Sequence, residues 1–176
     1  IFDQLVDWLE TSASDAMINP NQGWEPMRVD DNNGIIIYDR AYIIQEHLTN
    51  KKFAFEMMYK KKTDFFISRI LKNEEVVIDT FNRSYIFCFS SANVSNEYLP
   101  NNIKNFTDLV AFAKKNQILN FKESINGNFK KLQDEVITIL FVAFFIKRPY
   151  PVIGTSSNIE ILHFAIELKE HKKKKN

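Results

Sequence analysis

Four runs decide the reading of this chain: GIIIYDRAYII (Gly34–Ile44), FAFEMMYKKK (Phe53–Lys62), DFFISRIL (Asp64–Leu71) and EVVIDTFNRSYIFCF (Glu75–Phe89). β-Branched and aromatic side chains dominate them, as they do in strands. In the second run Phe53, Phe55, Met57 and Tyr59 alternate with Ala54, Glu56, Met58 and Lys60, the period of two of a half-buried strand. The connections around residues 48–52 and 72–75 are too short for a crossover, so antiparallel neighbours in a meander are expected. Asp31, Asn32, Asn33 and Gly34 supply the turn that opens this region.

Working outward, Phe2, Leu5, Val6, Leu9, Ala13, Ala16 and Met17 recur at helical spacing, with Asp3, Asp7, Glu10 and Ser14 on the other side. The spacing predicts an amphipathic helix over Phe2–Met17, stopped by Asn19 and Pro20 because a residue before proline avoids the helical region. Beyond the four runs, Ser90–Glu97 reads as a polar loop. A helix begins at Thr107 and Asp108 with Leu109, Val110, Phe112 and Ala113 as its apolar side, and Ser124–Glu135 reads as another. Val136–Ile146 is a buried strand or a short core helix, and Ile159–His171 reads as a last helix. The expected organisation is a domain over residues 1–106 and a helical or mixed C-terminal extension over 107–176.

With 45% hydrophobic and 14% aromatic residues, 16 of them Phe, the 176-residue chain is globular rather than disordered. A net charge of +1 gives no general reason to expect nucleic acid. The charge is uneven: nine acidic and two basic side chains fall in residues 1–50, and the rest carries an excess of eight positive charges ending in Lys172–Lys175. Such a terminal lysine run reads as a solvated tail. The one cysteine, Cys88, excludes an intrachain disulfide and sits in the most apolar run, as a small buried hydrophobe does. None of His47, His163 and His171 lies near it in sequence. Val136–Ile146 is about half the length of roughly 20 residues that a membrane span needs. No Gly-rich phosphate loop and no Cys/His cluster of zinc spacing is present, so neither a cofactor nor a metal is implied.

A helix followed at once by a long antiparallel sheet resembles the hotdog fold, an α+β architecture in which a sheet wraps one long central helix. The resemblance is to the hotdog acyl-CoA thioesterase superfamily, of the 4-hydroxybenzoyl-CoA thioesterase-like kind. It covers about residues 2–106 and rests on element order and hydrophobic texture. Leu5–Met17, with Trp8, Leu9 and Glu10, is similar to the central helix of that family. Gly34–Ile44 resembles the strand after it, Phe65–Val77 the hairpin, Tyr85–Phe89 the last long strand, and Leu99 to Ile103 the short coda with its proline. Many members carry an Asp and a His-Val-Asn-like turn before that helix. Ile1 already stands at the helix start, so the sequence reads as a fragment that begins after them.

The resemblance implies hydrolysis of an acyl-CoA or acyl-carrier-protein thioester to free acid and thiol. It implies a homodimer or homotetramer in the cytoplasm, with neither a nucleic acid partner nor a membrane span. One branch of the family places its catalytic carboxylate on the helix, and Glu10 is the position here that matches. Such a group acts as general base or nucleophile, while unpaired backbone N–H groups at a helix start can hold the oxyanion. A solvated helix residue is the other role open to Glu10, and dipole-complementing positions are the other role open to Asp3 and Asp7. Phe53, Phe55, Tyr59, Phe65 and Phe66 line either a core or an acyl tunnel. Lys60, Lys61, Lys62 and Arg69 either solubilise strand ends or meet CoA phosphates.

The alternative is a non-enzymatic acyl- or lipid-binding module. An inactive hotdog domain is one form of it. Gly23, Trp24 and Glu25 followed by Asn33–Arg40 also resemble the opening of a helix-grip lipid-transfer domain. Residues 106–145 have a texture similar to the inactive thioredoxin-like domains of protein disulfide isomerases, without a Cys-x-x-Cys pair.

Overall fold

A computed structural model describes residues 34–62, 65–73, 75–97, 103–132 and 139–167. They form an α+β structure around one six-stranded mixed sheet. The strands are β1 (Gly34–Ile37), β2 (Ala54–Lys62), β3 (Phe65–Ile70), β4 (Asn82–Val94), β5 (Ile139–Lys147) and β6 (Ile159–Glu167), in the order β1-β3-β2-β4-β5-β6. β2 pairs antiparallel with β3 and β4, and β5 with β6. β1 pairs parallel with β3, and β4 parallel with β5. The expected meander therefore holds only locally. The helices α2 (Phe106–Lys115) and α3 (Phe121–Leu132) lie between β4 and β5 in the chain, as a parallel pairing requires. Strands from both sides of the boundary expected at residue 106 share this sheet.

Each face of the sheet carries its own core. On one, α2 and α3 bring Leu109, Phe112, Ala113, Phe121 and Ile125 onto Phe87, Phe89, Val142, Phe144 and Phe164. On the other, the short helix α1 (Arg40–Ile44) sets Ile43 among Phe55, Met57, Ile86, Phe141 and Phe145. β5 is buried along both faces, which is why Val136–Ile146 lacks any alternation. The sheet curls until its two margins approach. Arg40 donates to the Ile159 carbonyl, Lys61 pairs with Glu167, and the rings of Tyr38 and His163 stand 6.4 Å apart, edge to face. Gly34 is needed where β1 meets β3, since a Cβ there would lie 2.7 Å from the Phe66 carbonyl oxygen.

Four expectations are corrected. The run Gly34–Ile44 stops being a strand at Ile37, because the Asp39 carboxylate accepts from Tyr42 N at 3.0 Å and caps α1. The fourth strand starts at Asn82 instead of Glu75 and runs through Val94, so Val76 and Ile78 stay exposed while Ser90 and Ser91 are strand residues rather than loop. Ile159–His171 was expected as a helix; over Ile159–Glu167 it is β6, registered residue by residue on β5. Its two apolar sets, Ile159 and Ile161 against Leu162, Phe164 and Ile166, serve opposite faces, and pairing with β5 overrides the helical spacing. The antiparallel sheet expected to wrap a central helix is mixed. The helix expected over Phe2–Met17 lies outside the described residues.

Buried polar groups fasten the end of the sheet. The wholly buried Arg148 guanidinium donates from Nε to Glu160 at 2.6 Å, and from a terminal nitrogen to the carbonyls of Ser95 at 2.9 Å and Glu97 at 3.0 Å. Ser95 Oγ and Asn116 Oδ1 stand 2.8 Å apart in the same region, and Lys147 N donates to Ser91 Oγ at 2.9 Å.

Candidate functional site

The chain after α1 tightens into a wide turn, Gln45–Thr49, in which Asn50 N donates to the Gln45 carbonyl five residues back. Such π-type turns displace side chains from ordinary helical positions. Lys51 follows with φ 59°, a left-handed conformation that costs a side-chain-bearing residue energy. This geometry points the Lys52 carbonyl back at His47, whose Nδ1 lies 2.9 Å from it. A carbonyl only accepts, so Nδ1 carries the proton.

The other ring nitrogen then has a free lone pair in the neutral ring, and Ser90 Oγ lies 2.9 Å from Nε2. Ser90 faces the α1 side of the sheet, next to Phe145 in register, and the His47 ring packs on Phe145 at 4.5 Å. Burial pushes the His47 pKa below its ordinary value; the bond to the Lys52 carbonyl opposes this and the Lys51 charge adds to it. The imidazole is therefore neutral at pH 7 with its basic nitrogen on a hydroxyl. Both residues remain half-exposed. A hydroxyl, a base within hydrogen-bond reach and a third group fixing the tautomer are the parts of an activated nucleophile.

Cys88 lies two residues from Ser90 on the same strand and is buried, which raises its thiol pKa well above the ordinary value. A thiol so held is inert. At the margin between β1 and β6, burial pushes the Tyr38 phenol up while Arg40 pulls it down, and burial lowers the pKa of His163.

Of the sequence-derived candidates, Glu10, Asp3 and Asp7 lie outside the described residues. Phe55 and Phe66 are core residues, and the rings of Tyr59 and Phe141 pack 5.2 Å apart beside them. Lys61 is paired with Glu167 and Arg69 with Glu75, while Lys60 reaches over the Phe81 ring. These groups are not gathered at Ser90. Ser90 falls in a stretch whose sequence reads as a polar loop, and 43 residues separate it from His47, so no local signal joins the two. Among the described residues no three His, Cys, Asp or Glu side chains converge in a way that would hold a metal. No helix among them is long and apolar enough to cross a membrane. No family model and no curated protein matches the chain.

Proposed function

We propose that the chain hydrolyses acyl thioesters, with Ser90 as nucleophile and His47 as general base. The observation that carries this reading is His47 held between the Lys52 carbonyl and the Ser90 hydroxyl, at 2.9 Å on each side. His47 Nε2 takes the Ser90 proton as Oγ bonds to the thioester carbon. The tetrahedral intermediate then expels the thiolate, which takes the proton back from His47 and leaves as thiol. Water repeats the sequence on the acyl-serine and releases the acid. A neutral imidazole suits the first step, because only the unprotonated nitrogen can accept.

The hotdog architecture belongs to the same proposal. A curled sheet with the short helix α1 packed on one of its faces supports it, and the parallel pairings β1 with β3 and β4 with β5 depart from it. A homodimer or homotetramer in the cytoplasm acting on acyl-CoA or acyl-carrier protein is what that kinship entails. The non-enzymatic acyl-binding module is favoured by a different observation. Ile35 and Ile37 present an apolar stripe on β1, 57% and 55% exposed, which suits ligand capture rather than chemistry.

Release of free thiol from a panel of acyl-CoAs separates these readings. Ser90→Ala and His47→Gln are each expected to lower the rate by about 10³-fold or more. Glu10→Gln run alongside tests the helix carboxylate. Loss in Glu10→Gln with full activity in Ser90→Ala would transfer the chemistry to Glu10. A folded wild-type chain that binds acyl groups and releases no thiol would leave the binding module.

A further inference from the structure

We propose that Gln117 is a positioning residue for Ser90: it pins the bulge that β4 makes just after the serine and so keeps the hydroxyl on His47. This rests on Ser90 and His47 as the reacting pair of the hydrolase reading, although one arm of its test needs no turnover. β4 registers with β2 through Phe87, and Cys88 N donates to the Phe53 carbonyl at 2.8 Å. Beyond that point Gln117 takes over. Its carbonyl accepts from Ala92 N at 3.0 Å, and its Oε1 accepts from Asn93 Nδ2 at 2.6 Å. Ser90 therefore sits midway between two main-chain anchors, Cys88 and Ala92. Ser90 is also the last residue before the register with β5 shifts. From Ser90 to Val94 β4 advances four residues while β5 advances two, from Phe145 to Lys147. Lys147 spans this bulge, its N–H donating to Ser91 Oγ and its carbonyl accepting from Ser95 N, each at 2.9 Å. A bulge bends its strand and re-aims the side chains beside it, so what fixes the bulge fixes the direction of Ser90.

The end of α2 accounts for the backbone of Gln117 but not for its side chain. Gln117 N donates to the Lys114 carbonyl at 3.1 Å and Ile118 N to that of Ala113 at 2.9 Å, the two bonds that close a helix on a left-handed residue. Gln117 is that residue, with φ 55°, where glycine is usual and a side chain costs energy. A glycine would close α2 as well and present the same carbonyl to Ala92, but it could not reach Asn93. The Gln117 side chain is exposed, so packing does not explain it either. Among the described residues only Lys51, Gln117 and Asn120 are left-handed without being glycine. The first two flank the two halves of the pair: Lys51 precedes the carbonyl that orients His47, and Gln117 holds the strand that carries Ser90. Backbone strain gathers where a site has to be held in one geometry.

Gln117→Gly in the full chain removes the side chain and keeps the left-handed backbone, so its urea midpoint should equal or exceed that of the wild type. A purely structural role would then leave the chemistry unchanged. The positioning role predicts a kcat for thiol release from an acyl-CoA lowered about tenfold at unchanged KM. Gln117→Glu keeps an acceptor for Asn93 and should behave as wild type. Asn93→Ala breaks the same bond from the other side and should match Gln117→Gly, and the double variant should lose no more than either single one. The arm without turnover follows the His47 ring by NMR through a pH titration. A hydroxyl donating to Nε2 favours the neutral ring, so His47 should titrate higher in Gln117→Gly, where Ser90 is released, than in wild type or Gln117→Glu. Wild-type kcat and wild-type His47 titration in a folded Gln117→Gly overturn the proposal, as do additive losses in the double variant. A wild-type chain that releases no thiol removes the hydrolase reading by itself. A His47 titration that moves in Gln117→Gly and not in Gln117→Glu then still supports the positioning of Ser90, and one that moves in neither overturns it.

Discussion

Ser90 and Ser91 are neighbours on β4 that face opposite sides of one sheet, and their surroundings differ in kind. On the Ser91 side Ser91, Ser95 and Asn116 are buried, and so is a full charge pair, Arg148 with Glu160, whose guanidinium also donates to two main-chain carbonyls. On the Ser90 side the pair with His47 is neutral, half-exposed and set on a turn with a left-handed lysine. A buried charge must be fully engaged, so the first arrangement can only hold the chain together. The second keeps a polarised hydroxyl within reach of solvent. Burial and charge state, more than residue type, separate a fastening from a site.

The contrast breaks most readily by stability. Arg148→Met leaves the Glu160 carboxylate buried without that cation and should cost about 3–5 kcal/mol. Arg148→Met with Glu160→Leu should recover much of it, because replacing both members removes the uncompensated charge. Ser90→Ala, losing one neutral hydrogen bond at a half-exposed position, should cost about 1 kcal/mol. Urea unfolding of the three variants checks this. A similar midpoint for Arg148→Met and Ser90→Ala would mean that the two sides are not different in kind.

Acid sharpens the same comparison. His47 and His163 both have folded pKa values lowered by burial from an ordinary 6.5. In the unfolded chain each binds a proton as pH falls through 6.5, and the folded protein resists doing so. The stability from these neutral rings is thus fully present above pH 6.5 and lost as pH falls from there toward the folded values. Urea midpoints between pH 8 and pH 5 should show the loss, and His47→Gln and His163→Gln should each flatten it. Hydrolysis should keep its rate below pH 6.5, since His47 stays a base there, and fall only at lower pH. A rate midpoint above pH 7 would contradict a base whose pKa is held below its ordinary value.

The sequence made some of this legible and hid the rest for definable reasons. The alternation over Phe53–Tyr59 is legible because Phe55 and Met57 are buried while Ala54 and Glu56 are only half-buried, and the strand there is Ala54–Lys62. Thr107 and Asp108 mark a helix start with Leu109, Val110, Phe112 and Ala113 as its apolar side, and α2 runs there, with Asn105 as the cap that the structure adds. Ile159–Glu167 misleads when read alone, because both of its faces carry apolar side chains, Ile159 and Ile161 on one and Leu162, Phe164 and Ile166 on the other. Asp39 was visible but outweighed by the isoleucines on either side of it. The His47–Ser90 pair depends on a wide turn and on β4 running past residue 89, neither of which has a local signature.

The smallest effect asks whether the Ser90 side holds strain for a purpose. Lys51 at φ 59° and Asn120 at φ 56° share a conformation that glycine adopts freely. Lys51→Gly should stabilise the fold by about 0.5–1 kcal/mol, as relief of the left-handed penalty outweighs the added unfolded-state entropy. Asn120→Gly should gain only about a few tenths, since asparagine tolerates that region. The informative measurement pairs these midpoints with the rate of thiol release from one acyl-CoA. Lys51→Gly should gain stability and lose a few-fold in rate, because the looser turn no longer fixes the Lys52 carbonyl on His47, whereas Asn120→Gly should leave the rate alone. A faster or unchanged Lys51→Gly would make the left-handed lysine an accident of the turn and not part of how His47 is aimed.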